Sequence, residues 1–365
     1  MRFQPALDKI PVYEAGKPIE LVVREYGISP DKVIKLASNE NPYGVSPKVE
    51  NAIREAVYKM PLYPDDSYRN LKDALASAHK VDAKNVIQGN GSDQIFDFAT
   101  RSVLDPGDKI LQNGKTFSMY SIYAGQCGAE TISVDSVIHD LDLFLDSYKK
   151  NSPKIIFICT PCNPIGDALN KDDLFSFLEK ISPETMVVVD AAYMEFGKTR
   201  DPRKEVQASE LISKFPNALY TNTFSKIYGL GGMRIGYGIG NEELIQAFYK
   251  LRPPFNVSQL SQLAATIALE DRAFVEEYLK ANLKELLRYE AFAKTKGLPY
   301  FESYTNFITI ELDKARLTST SLFETLLKEG IILRNLKSYG LNAIRITIGR
   351  PEQNDIVLDR LEKLL

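Results

Sequence analysis

The feature that most constrains how this chain folds is a repeated alternation of short apolar runs, polar or glycine-rich turns, and segments with helical spacing. Residues 86–88 (VIQ) lead through GNGSD, 89–93, to a predicted helix with Ile95, Phe96, Ala99 and Val103 among its apolar positions. Residues 109–111, 155–159, 186–189 and 219–222 repeat the apolar run, and the turn TPCNPIGD, 160–167, precedes a predicted helix over 172–180. Near-continuous apolar runs separated by helices predict an α/β fold with a largely parallel sheet covered on both faces. Sites in such sheets gather at the carboxyl ends of the strands. Gly91-Ser92, Asn163, Asp190 and Lys226 each follow a strand closely, so the fold would bring them together.

On either side of this pattern the sequence is different. Pro11, Gly16 and Pro18 are loop signals, and a short helix is predicted over 19–26, closed by Gly27. Residues 33–44 read as a strand running into the polar turn NENP, and helices over 49–58 and 68–78 flank a proline-bracketed loop, PLYPDD, that contains Tyr63. After Pro253-Pro254 comes a long amphipathic stretch through Val275, Leu279, Leu283, Leu286 and Leu287. Strands over 307–310, 331–333 and 344–348 and a helix over 322–328 follow, a mix that predicts a smaller α+β domain. In the last strand Ile344, Ile346 and Ile348 share one face, while Arg345 and Thr347 point the other way.

Composition narrows the function. A chain of 365 residues with 44% hydrophobic and 25% charged residues is an ordinary globular sequence long enough for two domains. A net charge of -3 with no long run of one sign gives no footprint for nucleic acid or an anionic membrane. No apolar run approaches the roughly 18 residues of a membrane span, and the N-terminal residues lack the apolar core of a signal peptide, so a cytoplasmic protein is expected. Three cysteines argue against a disulfide framework, and the single CxxC, Cys159 and Cys162, offers too few ligands for a closed metal site. With only two histidines, His79 and His139, acid–base chemistry falls to other groups.

One of those groups is Lys226, in TFSKIYGLGGMR, flanked by Phe224 and Ile227 and followed eight residues on by Arg234. A desolvated lysine loses its proton more easily and attacks carbonyls; the stretch alone fits a structural or a surface lysine equally well. GNGSD, between a strand and a helix, offers backbone N–H groups to an anion, but it also fits an ordinary connection with Ser92 as N-cap. Asp190, after three valines, calls for a cationic partner. Together these groups suit pyridoxal 5'-phosphate, which needs a lysine for its aldehyde, a carboxylate for its ring nitrogen, and N–H donors with an arginine for its phosphate.

The ordered set LASNENPYG (36–44), LYPD (62–65), GNGSDQ (89–94), TPCNPIG (160–166), VVVDAAYMEF (187–196), TFSKIYGLGGMRIGY (223–237) and IRITIG (344–349) resembles the fold-type I, class II aminotransferases, the histidinol-phosphate aminotransferase family in particular. The resemblance runs almost end to end. It implies a large domain, 31–252, with a mostly parallel seven-stranded sheet, a small α+β domain, 253–365, and an N-terminal segment, 1–30, packing with the small domain and a dimer partner. It implies Lys226 as the Schiff-base and proton-transferring lysine, Asp190 at the ring nitrogen, and Tyr193 and Asn163 at the ring hydroxyl. Ser92, Asp93, Thr223, Ser225 and Arg234 would surround the phosphate, Phe117 would stack on the ring, and Tyr63 would arrive from the other subunit of a homodimer. Arg345 would take the substrate's anionic group, with Arg334, Tyr13 and Asn39 near it. The implied reaction is ping-pong transamination of histidinol phosphate with 2-oxoglutarate, giving imidazole-acetol phosphate and glutamate. Relatives that use aromatic amino acids or other phosphorylated amines, or that decarboxylate a phosphoamino acid, share much of the pattern, and a regulatory pyridoxal-phosphate-binding module is the non-enzymatic alternative. Lys115-Thr116-Phe117 and Cys162 depart from the family's usual Pro before the aromatic and Asn before Asn-Pro; neither change removes a catalytic atom, and both bear on substrate preference.

Overall fold

Runs such as IIFIC and MVVVD put apolar side chains on both faces, so they need helices above and below. The computed structural model describes residues 1, 3, 5–12 and 19–365. After β1 (Ile34–Lys35) come β2 (Val86–Asn90), β3 (Lys109–Asn113), β4 (Glu130–Val134), β5 (Ile155–Cys159), β6 (Met186–Asp190), β7 (Ala218–Thr223) and β8 (Ile235–Ile239). Strands β2 to β8 form a seven-stranded sheet in the order β2-β8-β7-β6-β5-β3-β4. Every residue of β5, β6, β7 and β8 is buried.

Neighbouring strands are parallel except where β8 meets β2 and β7. An antiparallel strand begins at the edge where its neighbours end. Arg234, just before β8, therefore meets Gly91, just after β2, whose N–H donates to the Arg234 carbonyl at 3.0 Å. Neither β4 nor β8 was expected from the sequence: β4 is only partly buried, and the glycines of IGYGI lower strand propensity. Gly236 is needed there for close approach, since a Cβ on it would lie 2.3 Å from the Ser92 nitrogen.

The later strands are β9 (Tyr300–Phe301), β10 (Phe307–Glu311), β11 (Ile331–Ile332), β12 (Arg334–Asn335) and β13 (Ala343–Thr347). Four of them form an antiparallel sheet in the order β12-β13-β10-β9. The strand expected over 331–333 stops at Ile332, because β11 pairs in parallel with β1 and the chain then crosses to the other sheet. Ile344 and Ile346 pack with Ile308, Ile310 and Leu286 in a second core, while Arg345 registers opposite Arg334 on β12 and Thr309 on β10.

The two hydrophobic cores each take in residues from both sides of 252/253. The core of the large sheet takes in Val257, Ala264, Ala265 and Ala268, and the small side chains let helix Gln259–Glu270 lie close on helix Pro47–Ala56. Helix Arg272–Thr295 then runs into the second core through Leu286, Tyr289 and Ala293. Conversely, Ile34 and Leu36 pack in that second core although they precede the large sheet. Helix Ile19–Tyr26 lies against the same unit, with Ile19 and Tyr26 on Ala37, Leu327 and Ile332. No helix among the described residues is long and apolar enough to cross a membrane.

Candidate active site

Asp190 is the last residue of β6, a strand buried along its whole length, so its carboxyl sits in apolar surroundings. The Tyr120 hydroxyl donates to its Oδ2 at 2.5 Å, and the Ala192 N–H donates to Oδ1 at 3.1 Å. Burial nevertheless pushes the acid up to about 6, the two hydrogen bonds only moderating the effect. A carboxyl in that state is receptive to a cation. Across the cavity stands Lys226, three residues past β7, its amine donating to the Ser38 carbonyl at 3.4 Å. Desolvation lowers this amine to about 8, the nearby Arg345 and Arg234 charges adding to the shift while Glu40 and Asp93 oppose it. Its side chain is partly exposed toward the cavity, so the amine has protein on most sides and an open path to a ligand.

The expected anion cradle is present at the same sheet edge. Helix Gly91–Val103 starts immediately after β2, presenting the N–H groups of its first turn. Gly91 has φ +73°, and a Cβ there would lie 2.6 Å from Nη2 of Arg234. Arg234 itself is left-handed at φ +49°, an uncommon conformation for a non-glycine residue that occurs at functional sites. It donates to the Gly231 carbonyl at 3.1 Å and to Asp93 Oδ2 at 3.2 Å. Burial raises the Asp93 carboxyl, and the Arg234 and Lys226 charges partly offset the rise. On the opposite side the Ser225 N–H donates to Thr223 Oγ1 at 3.1 Å, and the two hydroxyls lie 3.0 Å apart. Ser92, Asp93, Thr223, Ser225 and Arg234 thus line one cavity of about 110 Å³ together with Lys226, Asp190, Tyr193, Asn163 and Phe117.

A larger cleft of about 450 Å³ shares Asp93, Phe117, Asn163, Lys226 and Arg234 with it and reaches Arg345, Arg334 and Asn39. Arg345, largely buried, donates to Asn163 Oδ1 at 2.5 Å and to the Ala37 carbonyl at 2.7 Å, with its guanidinium 5.1 Å from the Phe307 ring centroid. The register of β12 on β13 sets Arg334 beside it, so two guanidinium groups border one cleft. Asn39, left-handed at φ +57°, donates from Nδ2 to the Tyr193 hydroxyl at 2.9 Å and accepts from Thr347 at 3.1 Å. Burial raises the Tyr193 phenol well above its usual range, so the free hydroxyl stays protonated.

One of the expected site residues stands apart. Tyr63 is exposed, its ring stacked on Phe255 at 4.7 Å, and Tyr13 lies outside the described residues. Sequence reading missed Tyr120, Tyr123, Met119 and Tyr339, which the fold adds to the site. Met119, Tyr120 and Tyr123 belong to the helix Met119–Gln126 that follows Phe117, and no local pattern in it singles them out. The His139 ring and Asp167 come within 4.8 Å of the Cys162 sulfur, ligating atom to ligating atom. His139 Nδ1 and its backbone N–H both meet Asp167 Oδ2, at 2.8 and 2.9 Å, and the Cys162 thiol turns to the Lys115 carbonyl at 3.5 Å.

A lysine of weakened basicity, a buried carboxyl and an anion cradle at one edge of this sheet define a class, the pyridoxal-phosphate-dependent aminotransferases, and the family model described as aminotransferase class I and II matches residues 31–361. A histidinol-phosphate aminotransferase of Leptospira interrogans is 58% identical over 99% of this chain and 98% of the relative. Another, of Sulfurimonas denitrificans, is 53% identical over 97% of each. The chain belongs to the histidinol-phosphate aminotransferase family. The crystal structure of the histidinol-phosphate aminotransferase of Sinorhizobium meliloti in complex with pyridoxal-5'-phosphate superposes with a TM-score of 0.90 at 25% identity, covering 100% of this chain and 97% of that one.

Proposed function

We propose that this chain is a cytoplasmic, homodimeric transaminase that moves the amino group of histidinol phosphate to 2-oxoglutarate, with pyridoxal phosphate as cofactor. The observation that carries the reading is the placement of Lys226, its amine lowered to about 8, in one cavity with the buried acid Asp190 and the Ser92–Arg234 cradle. The cavity suits the cofactor on its own terms. Asp190 is a buried acid raised to about 6 that gains from a cationic ring nitrogen, and the cradle offers N–H, hydroxyl and guanidinium donors to a phosphate.

When bound, pyridoxal phosphate supplies an aldehyde that takes up the amino group and a ring that draws off the electron pair released at the α-carbon. Asp190, fixed by Tyr120, would hold a proton on the ring nitrogen. Tyr193, Asn163 and Phe117 line the same cavity and would hold the ring, the first two through its hydroxyl. Lys226 would take the proton from the substrate's α-carbon onto its amine Nζ, a task suited to an amine lowered to about 8. Arg345 fixes the anionic end of either substrate, phosphate ester or carboxylate, in the same cleft, which lets one pocket serve both halves of the reaction. Arg334 and Asn39 support that end. Tyr63, exposed in this chain, would complete the cofactor site of a partner copy.

The test is the absorbance of the protein with pyridoxal phosphate as histidinol phosphate, phenylalanine, and phosphoserine or phosphothreonine are added in turn. Loss of the cofactor's aldehyde band preferentially with histidinol phosphate is expected. Conversion with phenylalanine instead would move the substrate to the aromatic amino acids, and release of carbon dioxide from a phosphoamino acid would make the chain a decarboxylase. A protein that acquires no band at all would overturn the cofactor reading.

A further inference from the structure

Behind the cradle lies a buried carboxyl that the proposed reaction does not use. Glu195 stands at the start of helix Met194–Arg200, two residues past Tyr193, and its Oε2 is shut off from solvent with no hydrogen-bond partner among the described residues. Its other oxygen accepts from Asn222 Nδ2 at 3.1 Å. Burying a carboxyl on so few partners is unfavourable, so the one contact that it does make, to Asn222, is the one through which it can act. Asn222, fully within β7, uses its remaining atom, Oδ1, to accept from the Thr223 N–H at 2.6 Å. Thr223 in turn holds the Ser225 turn through its hydroxyl.

An asparagine amide has a donor end and an acceptor end, and which way it faces depends on its neighbours. An acceptor at Glu195 selects the orientation in which Nδ2 faces the carboxyl. The carbonyl end is then committed to Thr223.

We infer that Glu195 is a positioning residue that acts through Asn222 to set the Thr223–Ser225 turn, and so tunes how tightly the cradle grips the phosphate of the cofactor. The inference rests on the proposed function, in which that turn faces the phosphate. It predicts a defect specific to the phosphate end, because Lys226 and Asp190 take no part in the chain of contacts.

The experiment compares binding of pyridoxal phosphate with binding of pyridoxal, which lacks the phosphate, to cofactor-free protein, followed by absorbance. Glu195→Leu is expected to weaken pyridoxal phosphate by about tenfold or more, the effect of losing one or two hydrogen bonds to a charged group, while leaving pyridoxal binding unchanged. Glu195→Gln keeps an acceptor oxygen and should restore most of the loss. Should Glu195→Leu fail to fold, judged by circular dichroism, Asn222→Ala gives the same comparison. Equal losses for both ligands, or none for either, would overturn the inference while leaving the cofactor reading intact. Unmodified protein that binds neither ligand would instead overturn the proposed function.

Discussion

At the scale of single residues the site is a matter of two ionisable groups driven off their ordinary values in ways that suit each other. Lys226, brought to about 8, keeps a useful fraction of free amine near neutrality; Asp190, raised to about 6, is strained without a cation beside it. A positioned acid–base group contributes about 10²–10⁴-fold to a rate, so Lys226→Ala is expected to lower kcat/KM by at least that much, measured by steady-state transamination. The uptake rate of pyridoxal phosphate by cofactor-free protein should rise as pH is raised through about 8 and level off above it. Asp190 gives a separate forecast for stability. Its folded value lies above the ordinary 3.8, so the folded state binds more protons than the unfolded one between those values, and its contribution is present below pH 3.8 and lost as pH rises through about 6. The difference corresponds to about 3 kcal/mol. Asp190→Asn should therefore make the cofactor-free protein more stable at pH 7 than the unmodified chain, as read by urea unfolding, while abolishing tight cofactor binding. Equal unfolding midpoints at pH 7 would show that the carboxyl is not under the burial penalty argued for it.

At the scale of elements, the reversed strand β8 decides whether the site forms. Parallel strands alone would deliver Asp190, Asn163 and Lys226 to one edge but would leave Arg234 at the other; the antiparallel β8 starts at the shared edge and brings it back. Gly236 permits the contact, since a Cβ there would fall 2.3 Å from the Ser92 nitrogen and 2.6 Å from the Gly91 carbonyl carbon, both backbone atoms with little room to yield. Gly236→Ala is expected to destabilise the protein by about 1–3 kcal/mol and to weaken cofactor binding in parallel, checked by urea unfolding and absorbance titration. Unaltered cofactor binding would show that the cradle does not depend on this close approach. This element also marks the limit of what the sequence disclosed. Lys226, Asp190 and Asn163 were legible because each follows an apolar run that can only be a buried strand. β8 was not, because IGYGI alternates glycine with larger residues for reasons of close approach rather than strand propensity. Tyr120 was missed for a related reason: its hydrogen bond to Asp190 joins residues 70 positions apart, and nothing local in MYSIYAG announces it.

At the scale of the whole molecule the open question is Tyr63, which the single chain leaves on its surface among other exposed apolar side chains, Tyr58, Met60, Leu62 and Phe255. A tyrosine that served its own chain's cavity would have to line it; Tyr63 instead stacks on Phe255, away from Lys226. The proposed dimer accounts for this by letting each copy lend its Tyr63 to the other, and that arrangement has a consequence no independent-chain account shares. Tyr63→Ala and Lys226→Ala are each expected to be impaired alone. When the two variant chains are co-expressed, mixed dimers form in which one site lacks both groups while the other joins Lys226 of the first variant to Tyr63 of the second and is whole. Activity should therefore recover in the mixture, and size-exclusion chromatography with light scattering should give twice the 41.0 kDa chain mass for the active species. If Tyr63 serves its own chain, every mixed dimer carries two damaged sites and no recovery occurs.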